Sequence, residues 1–98
     1  MAKLNWTREA ELWLKEIFDY IAQDSPDAAA QVIEGIYDRA QDLIRFPQIG
    51  HRYEAITDRE VRILLYGHYR IAYLIRPDKD IDVLGVFHGA LNIEKYLI

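Results

Sequence analysis

Cysteine is absent from all 98 residues of the chain. That absence removes disulfide bonds, thiolate catalysis and cysteine-ligated zinc or iron–sulfur sites together, and it fits a reducing compartment. A long apolar run is missing as well. The first twenty residues include Lys3, Arg8, Glu9, Glu11, Lys15 and Glu16 with no apolar run between them, which leaves no room there for a membrane span or a cleavable leader. The expectation is a soluble protein of the cytoplasm. A basic excess is the third thing lacking. Twelve Lys and Arg face sixteen Asp and Glu, for a net charge of −4. Residues 1–34 carry −4, residues 35–60 carry −1 and residues 61–98 carry +1. A protein that grips nucleic acid without regard to sequence needs a cationic face to neutralise phosphates, and only the C-terminal third offers even a weak one.

What is present is enough to build a core. Hydrophobic residues make up 51% and aromatic residues 12% of the chain, more than a disordered segment carries, and the length suits one small domain spanning residues 1–98. "AKLNW" has the alternation of a short first strand. Thr7 is placed to cap a helix, with Glu9 and Glu11 near the positive helix end. Ala10, Trp13, Leu14, Ile17, Phe18 and Ile21 then recur at three and four residues, the spacing of one apolar helical stripe. "DSPDAA" restarts the chain: Ser25 can cap, Pro26 suits the first helical position, and Asp27 meets the helix dipole. A second stripe runs through Ala29, Val32, Ile33, Ile36, Ala40, Leu43 and Ile44. Pro47 disfavours helical geometry at Phe46, so the helix should stop there. Gly35 inside it costs about 1 kcal/mol relative to alanine, for which close helix–helix contact is the simplest reason.

Beyond Gly50 the period changes to that of strands. "EVRILLY", "YRIAYLI" and "IDVLGVF" are rich in β-branched and aromatic residues. "GH" is a tight link between the first two and "RPDKD" a turn before the third, and short links favour antiparallel neighbours. The reading is α+β: a β-α-α-β-β-β chain with a helical hairpin packed on an antiparallel sheet, and "LNIEKY" adding a short C-terminal helical tail.

The residue types that could carry chemistry are few. His51, His68 and His88 lack the spacing of a metal site, and no phosphate-cradling glycine loop or nucleophile elbow occurs. No cofactor is expected. Arg62, His68, Arg70 and His88 are the sharper set, because two arginines could clamp a phosphate while a histidine moves a proton, the requirements of metal-free RNA cleavage. Geometry decides between this and two arginines that merely solvate a sheet. If "GH" is a two-residue hairpin loop, Arg62 pairs with Tyr73 and Leu65 with Arg70, which puts the arginines on opposite faces. A loop one residue longer reverses that. Trp6, Trp13 and Tyr20 fall on or near the apolar stripes and read as core. The acidic helix surface of Glu9, Glu11, Glu16, Asp19 and Asp24 reads as a solvated face, or as one that repels RNA or receives a basic partner segment.

Taken in order, several pieces resemble a known family. Ala10, Trp13-Leu14, Ile17 and Tyr20-Ile21-Ala22, then Asp24-Ser25-Pro26 and Ala28-Ala29, are similar to the N-terminal half of the RelE/ParE superfamily of type II toxin–antitoxin toxins. So are Leu43, Pro47, Gly50, Arg62, the "YRIAY" of Tyr69 to Tyr73, and "IDVLGVFH" ending at His88. The resemblance implies a growth-inhibiting cytoplasmic toxin neutralised by a cognate antitoxin that wraps a segment along its surface, as a homodimer or a toxin–antitoxin hetero-oligomer. RelE-like members are ribosome-dependent mRNA endonucleases with clustered basic residues, and ParE-like members are described as poisons of DNA gyrase.

This chain resembles the ParE branch more closely. Where RelE-like nucleases commonly place two lysines one residue apart, it has Arg62 and the apolar Leu64. Its end, with a strand finishing in His88, then Leu91-Asn92 and a closing apolar pair Leu97-Ile98, is also ParE-like. On that reading it is a gyrase-binding toxin rather than an enzyme, with Arg62, Arg70, His88, Leu91, Asn92 and Tyr96 as candidates for target or antitoxin contact. Were it a nuclease acting on mRNA at the ribosome, Arg62, Arg70 and His88 would be catalytic. A nontoxic family member that only binds antitoxin is a third reading.

Overall fold

The computed structural model describes residues 2–89 and 94–97. Eight elements follow in chain order: β1 (Leu4–Trp6), α1 (Arg8–Ala22), α2 (Pro26–Arg45), β2 (His51–Arg52), β3 (Glu60–Tyr66), β4 (Tyr69–Ile75), β5 (Ile81–His88) and α3 (Glu94–Leu97). Both long helices start where side-chain chemistry places them. Thr7 Oγ1 accepts from the Ala10 amide at 3.1 Å, and Ser25 Oγ accepts from the Ala28 amide at 3.2 Å with Pro26 at the first helical position. Each cap satisfies an amide that has no partner within its helix. The second helix ends with Phe46 as its cap residue, one position before Pro47.

The five strands form one sheet in the order β1-β5-β4-β3-β2. β3, β4 and β5 are antiparallel neighbours as their short links require, but β1 pairs parallel to β5, matching Leu4 with Ile81 and Trp6 with Val83. The sheet is therefore mixed, not antiparallel throughout. A parallel pair demands a long connection, and here almost the whole chain lies between the two strands. The join is reinforced by the Thr7 hydroxyl, which donates to the Val83 carbonyl at 2.7 Å, and by Asn5, whose amide donates to Asp82 at 3.1 Å. The two-residue β2 adds an edge beside β3 that the sequence pattern does not announce.

The helical hairpin covers one face of this sheet. Ala10 and Leu14 of α1, Ile36 and Leu43 of α2, and Leu64, Ile71, Tyr73, Ile81, Val83 and Val86 of the strands form the main core. Full burial of each large apolar side chain contributes about 1.5–3 kcal/mol. A smaller cluster of Ile63, Ala72 and Phe87 lies on the other face, with Trp13, Tyr53, Leu84 and Leu97 packed against it. Tyr20 is a correction: it is 77% exposed, because it sits beyond the edge of the stripe that Ala10, Leu14, Ile17 and Ile21 turn toward the sheet. Gly35 is another. A side chain there would run into the Tyr66 ring of β3, so the glycine admits a strand residue and not the neighbouring helix.

Candidate functional site

The "GH" link is a two-residue loop. Gly67 takes φ +57°, a left-handed geometry open to glycine, and β3 and β4 pair in the register Tyr66 with Tyr69, Leu65 with Arg70, and Arg62 with Tyr73. That register parts the two arginines. Arg62 shares the helix-covered face with Leu64, Ile71 and Tyr73, whereas Arg70 lies on the other face with Ile63, Ala72 and Phe87. They cannot close on one phosphate.

Arg62 is occupied within the fold. Its Nε donates to Glu60 Oε2 at 2.9 Å, and its Nη1 donates to the Gly50 and Gln48 carbonyls at 2.7 and 3.3 Å. Its cross-strand neighbour Tyr73 works on the same loop: the phenol donates to the Pro47 carbonyl at 2.7 Å and accepts from the Gly50 amide at 3.0 Å. Burial pushes the Tyr73 phenol above its ordinary pKa, while the Gly50 hydrogen bond and the Arg62 charge act the other way. Together the two side chains pin the 47–50 loop to the sheet.

The remaining polar chemistry gathers at the opposite end of the hairpin. There Leu65, Gly67, His68, Tyr69, Arg70, His88 and Gly89 line a recess of about 300 Å³. β5 ends with His88 beside Tyr69 and Phe87 beside Arg70. The His68 and His88 rings stack at 6.4 Å, and the Tyr69 ring meets His88 edge-on at 5.8 Å. The chain leaving β5 is tied back to the hairpin, since the Gly89 amide donates to the His68 carbonyl at 2.7 Å and Arg70 Nη2 donates to the Gly89 carbonyl at 3.3 Å. The register sets Tyr69 and His88 on the helix-covered face and Arg70 with Phe87 on the other, so the imidazoles and the guanidinium approach one another only at the rim of the hairpin end.

Of the residues singled out from sequence, Arg70 and His88 come together here and Arg62 does not. Tyr96 joins from α3: it stacks on Phe87 at 5.7 Å and meets Trp13 edge-on at 4.9 Å, which sets the C-terminal turn beside the Arg70 face. Leu91 and Asn92 lie outside the described residues. His68, singled out from sequence as well, joins Arg70 and His88, and one further member, Tyr69, owes its place to the hairpin register. The "GHYR" string carried that signal, because a two-residue loop necessarily brings its flanks to one edge.

A helical hairpin packed on a five-stranded mixed sheet, with a short C-terminal helix, is the RelE/ParE-like α+β fold. Residues 4–93 match the family model described as "ParE toxin of type II toxin-antitoxin system, parDE". A protein of Sinorhizobium fredii (strain NBRC 101917 / NGR234) named "Putative toxin Y4kP" is 35% identical over 87 residues, covering 89% of this chain and 88% of that one. Among solved structures, the chromosomal ParDE system from P. aeruginosa superimposes with a TM-score of 0.74 at 23% identity, over 90% of this chain and 96% of that chain. The RelBE2 toxin–antitoxin complex from Mycobacterium tuberculosis does so with a TM-score of 0.60 at 22% identity, over 89% and 96%. The chain belongs to the ParE toxin family of type II toxin–antitoxin systems.

Proposed function

We propose that this toxin arrests growth in the cytoplasm by protein–protein contact with DNA gyrase, and that a cognate antitoxin neutralises it by laying a segment along its surface. The observation that carries this reading is the commitment of Arg62. Its guanidinium holds Glu60 and two carbonyls of its own loop, with 18% of the side chain exposed, and Arg70 is on the other sheet face. A nuclease that works without metal needs clustered cations on the scissile phosphate, and the acidic balance of the chain adds nothing to that cluster. Arg70, His88 and Tyr96, with Leu91 and Asn92, then act as contact residues rather than catalysts. Controlled expression should stall supercoiling while protein synthesis continues. Translation arrest as the first event would count against gyrase as the target.

One observation favours a second reading, a RelE-like mRNA endonuclease acting on the ribosome. His68, Tyr69, Arg70 and His88 line a single recess, and a histidine pair beside an arginine suits acid–base cleavage of a phosphodiester. On that reading His88→Gln abolishes ribosome-dependent mRNA cleavage with the fold intact. Absence of cleavage by the wild-type chain removes this alternative.

A further inference from the structure

A second recess, of about 690 Å³, opens where the end of α2, the 46–50 loop and the neighbouring ends of β3 and β4 meet. Phe46 and Ile49 stand in its wall 56% and 46% exposed. Apolar side chains at a loop ordinarily fold inward when the backbone allows it. Here it does not. Four hydrogen bonds, two from Arg62 and two through the Tyr73 phenol, fix the Pro47–Gly50 backbone against the sheet. The loop is held in its presenting conformation before any ligand arrives, which lowers the ordering cost of binding.

The rim is cationic on a chain whose net charge is −4. Arg45 and Lys79 both line the recess. The six ion pairs among the described residues include neither of them, while the Glu60 carboxylate, which also lines the recess, is already held by Arg62 at 2.9 Å. The Arg45 guanidinium lies 5.6 Å from the centre of the Phe46 ring, joining the charge to the apolar wall. Lys79 occupies φ +77°, a left-handed geometry that glycine or asparagine would adopt at less cost. The turn nevertheless carries a lysine there, and that lysine lines the recess.

We propose that this recess receives an acidic, apolar segment of the antitoxin, with a large apolar side chain entering beside Phe46, Ile49 and Ile75 and flanking carboxylates meeting Arg45 and Lys79. The identity of the partner rests on the toxin–antitoxin reading; the chemistry of the segment comes from the recess alone. Arg62 and Tyr73 are positioning residues for this surface, since they hold the loop and do not touch the ligand.

The test titrates the full chain with a short synthetic peptide alternating Asp with Leu and Phe, and with a twin carrying Lys for each Asp. Calorimetry reads affinity, and amide chemical shifts read location. The acidic peptide should bind more tightly than its twin, shift the amides around Phe46 and Ile49, and lose affinity about fivefold in an Arg45→Gln/Lys79→Gln chain, as two exposed ion pairs imply. Ile49→Ser should weaken it independently of salt, and Lys79→Glu should cost more than Lys79→Gln. Equal binding of both peptides, full affinity in the double variant, or shifts centred elsewhere would overturn the proposal. The partner is scored separately, by whether the product of a neighbouring gene restores growth. If it does so and binds the double variant as tightly as wild type, the recess proposal falls while the toxin–antitoxin reading stands. If expression leaves growth untouched but the peptide results hold, the toxin reading falls and the recess stands.

Discussion

Replacing Tyr73 with Phe removes one oxygen from the centre of the loop anchor. Tyr73 is fully buried, and Phe keeps its ring and its place in the core. What changes is the fate of two backbone groups. The Gly50 amide loses the acceptor it had at 3.0 Å, in a bond shielded from solvent, and the Pro47 carbonyl loses its donor at 2.7 Å at a partly buried site. An orphaned buried donor costs about 1–3 kcal/mol, and a carbonyl within reach of water costs less. We therefore expect a loss of about 2–3 kcal/mol in urea unfolding followed by circular dichroism, with an unchanged m value, and a fall in Tm of roughly 10–20 °C. The effect should also depend on pH. Burial raises the Tyr73 pKa in the folded chain above its ordinary 10.0, so the unfolded chain gives up this proton first as pH rises. The Tyr73 contribution is thus complete below pH 10.0 and declines as pH climbs through the folded-state value. The stability gap between wild type and Tyr73→Phe should narrow on that alkaline limb. A loss below about 0.5 kcal/mol, the size of an ordinary surface change, or a gap that stays constant through the limb, would refute the anchoring account.

Other substitutions test the same scaffold. Gly50→Ala would put a Cβ 2.7 Å from the Ile63 carbonyl oxygen and 2.8 Å from the Tyr73 ring. Neither neighbour can move freely, so a loss of about 2 kcal/mol or more is expected in the same unfolding assay. Gly35→Ala should change stability by no more than about 1 kcal/mol, because the helix gains propensity while the half-buried Tyr66 side chain is displaced; in a Tyr66→Ala background the same change should stabilise. Arg62→Gln should lower stability by about 1–2 kcal/mol through its lost carbonyl and carboxylate bonds, whereas Arg70→Gln should leave the 46–50 loop amides unshifted in NMR spectra. If Arg62→Gln unfolds at the wild-type urea midpoint, the residue is not a structural brace.

The caps, the helix stripes and the strands were legible because each rests on local chemistry. Thr7, Ser25 and Pro26 act within a few residues of themselves, and the stripe from Ala29 to Leu43 is a property of helical spacing alone. Tyr20 and Gly35 depart from the sequence expectation for a related reason. Helical spacing says which side chains share a face, but not how far round the helix the sheet reaches or which element lies opposite. For the candidate site, "GHYR" and the terminal "FH" held most of the ingredients, and Arg62 looked equally available. Only the hydrogen bonds from its guanidinium to Gly50 and Gln48 show that it serves its own loop.

The sequence by itself determined the order of the long helices and strands, the helix starts, the absence of thiol chemistry and the resemblance to one toxin superfamily, but not the two-residue β2. These follow from side-chain type and near-neighbour spacing, which no distant contact alters. Tertiary structure decided the rest. Parallel pairing of β1 with β5 joins the two ends of the chain, and the two-residue hairpin loop sends Arg62 and Arg70 to opposite faces. Register is a period-two property, so a shift of one residue would have reversed that result. The recess between Arg45 and Lys79 was equally hidden, since it depends on a loop held open by side chains from two strands that lie beyond it in the chain.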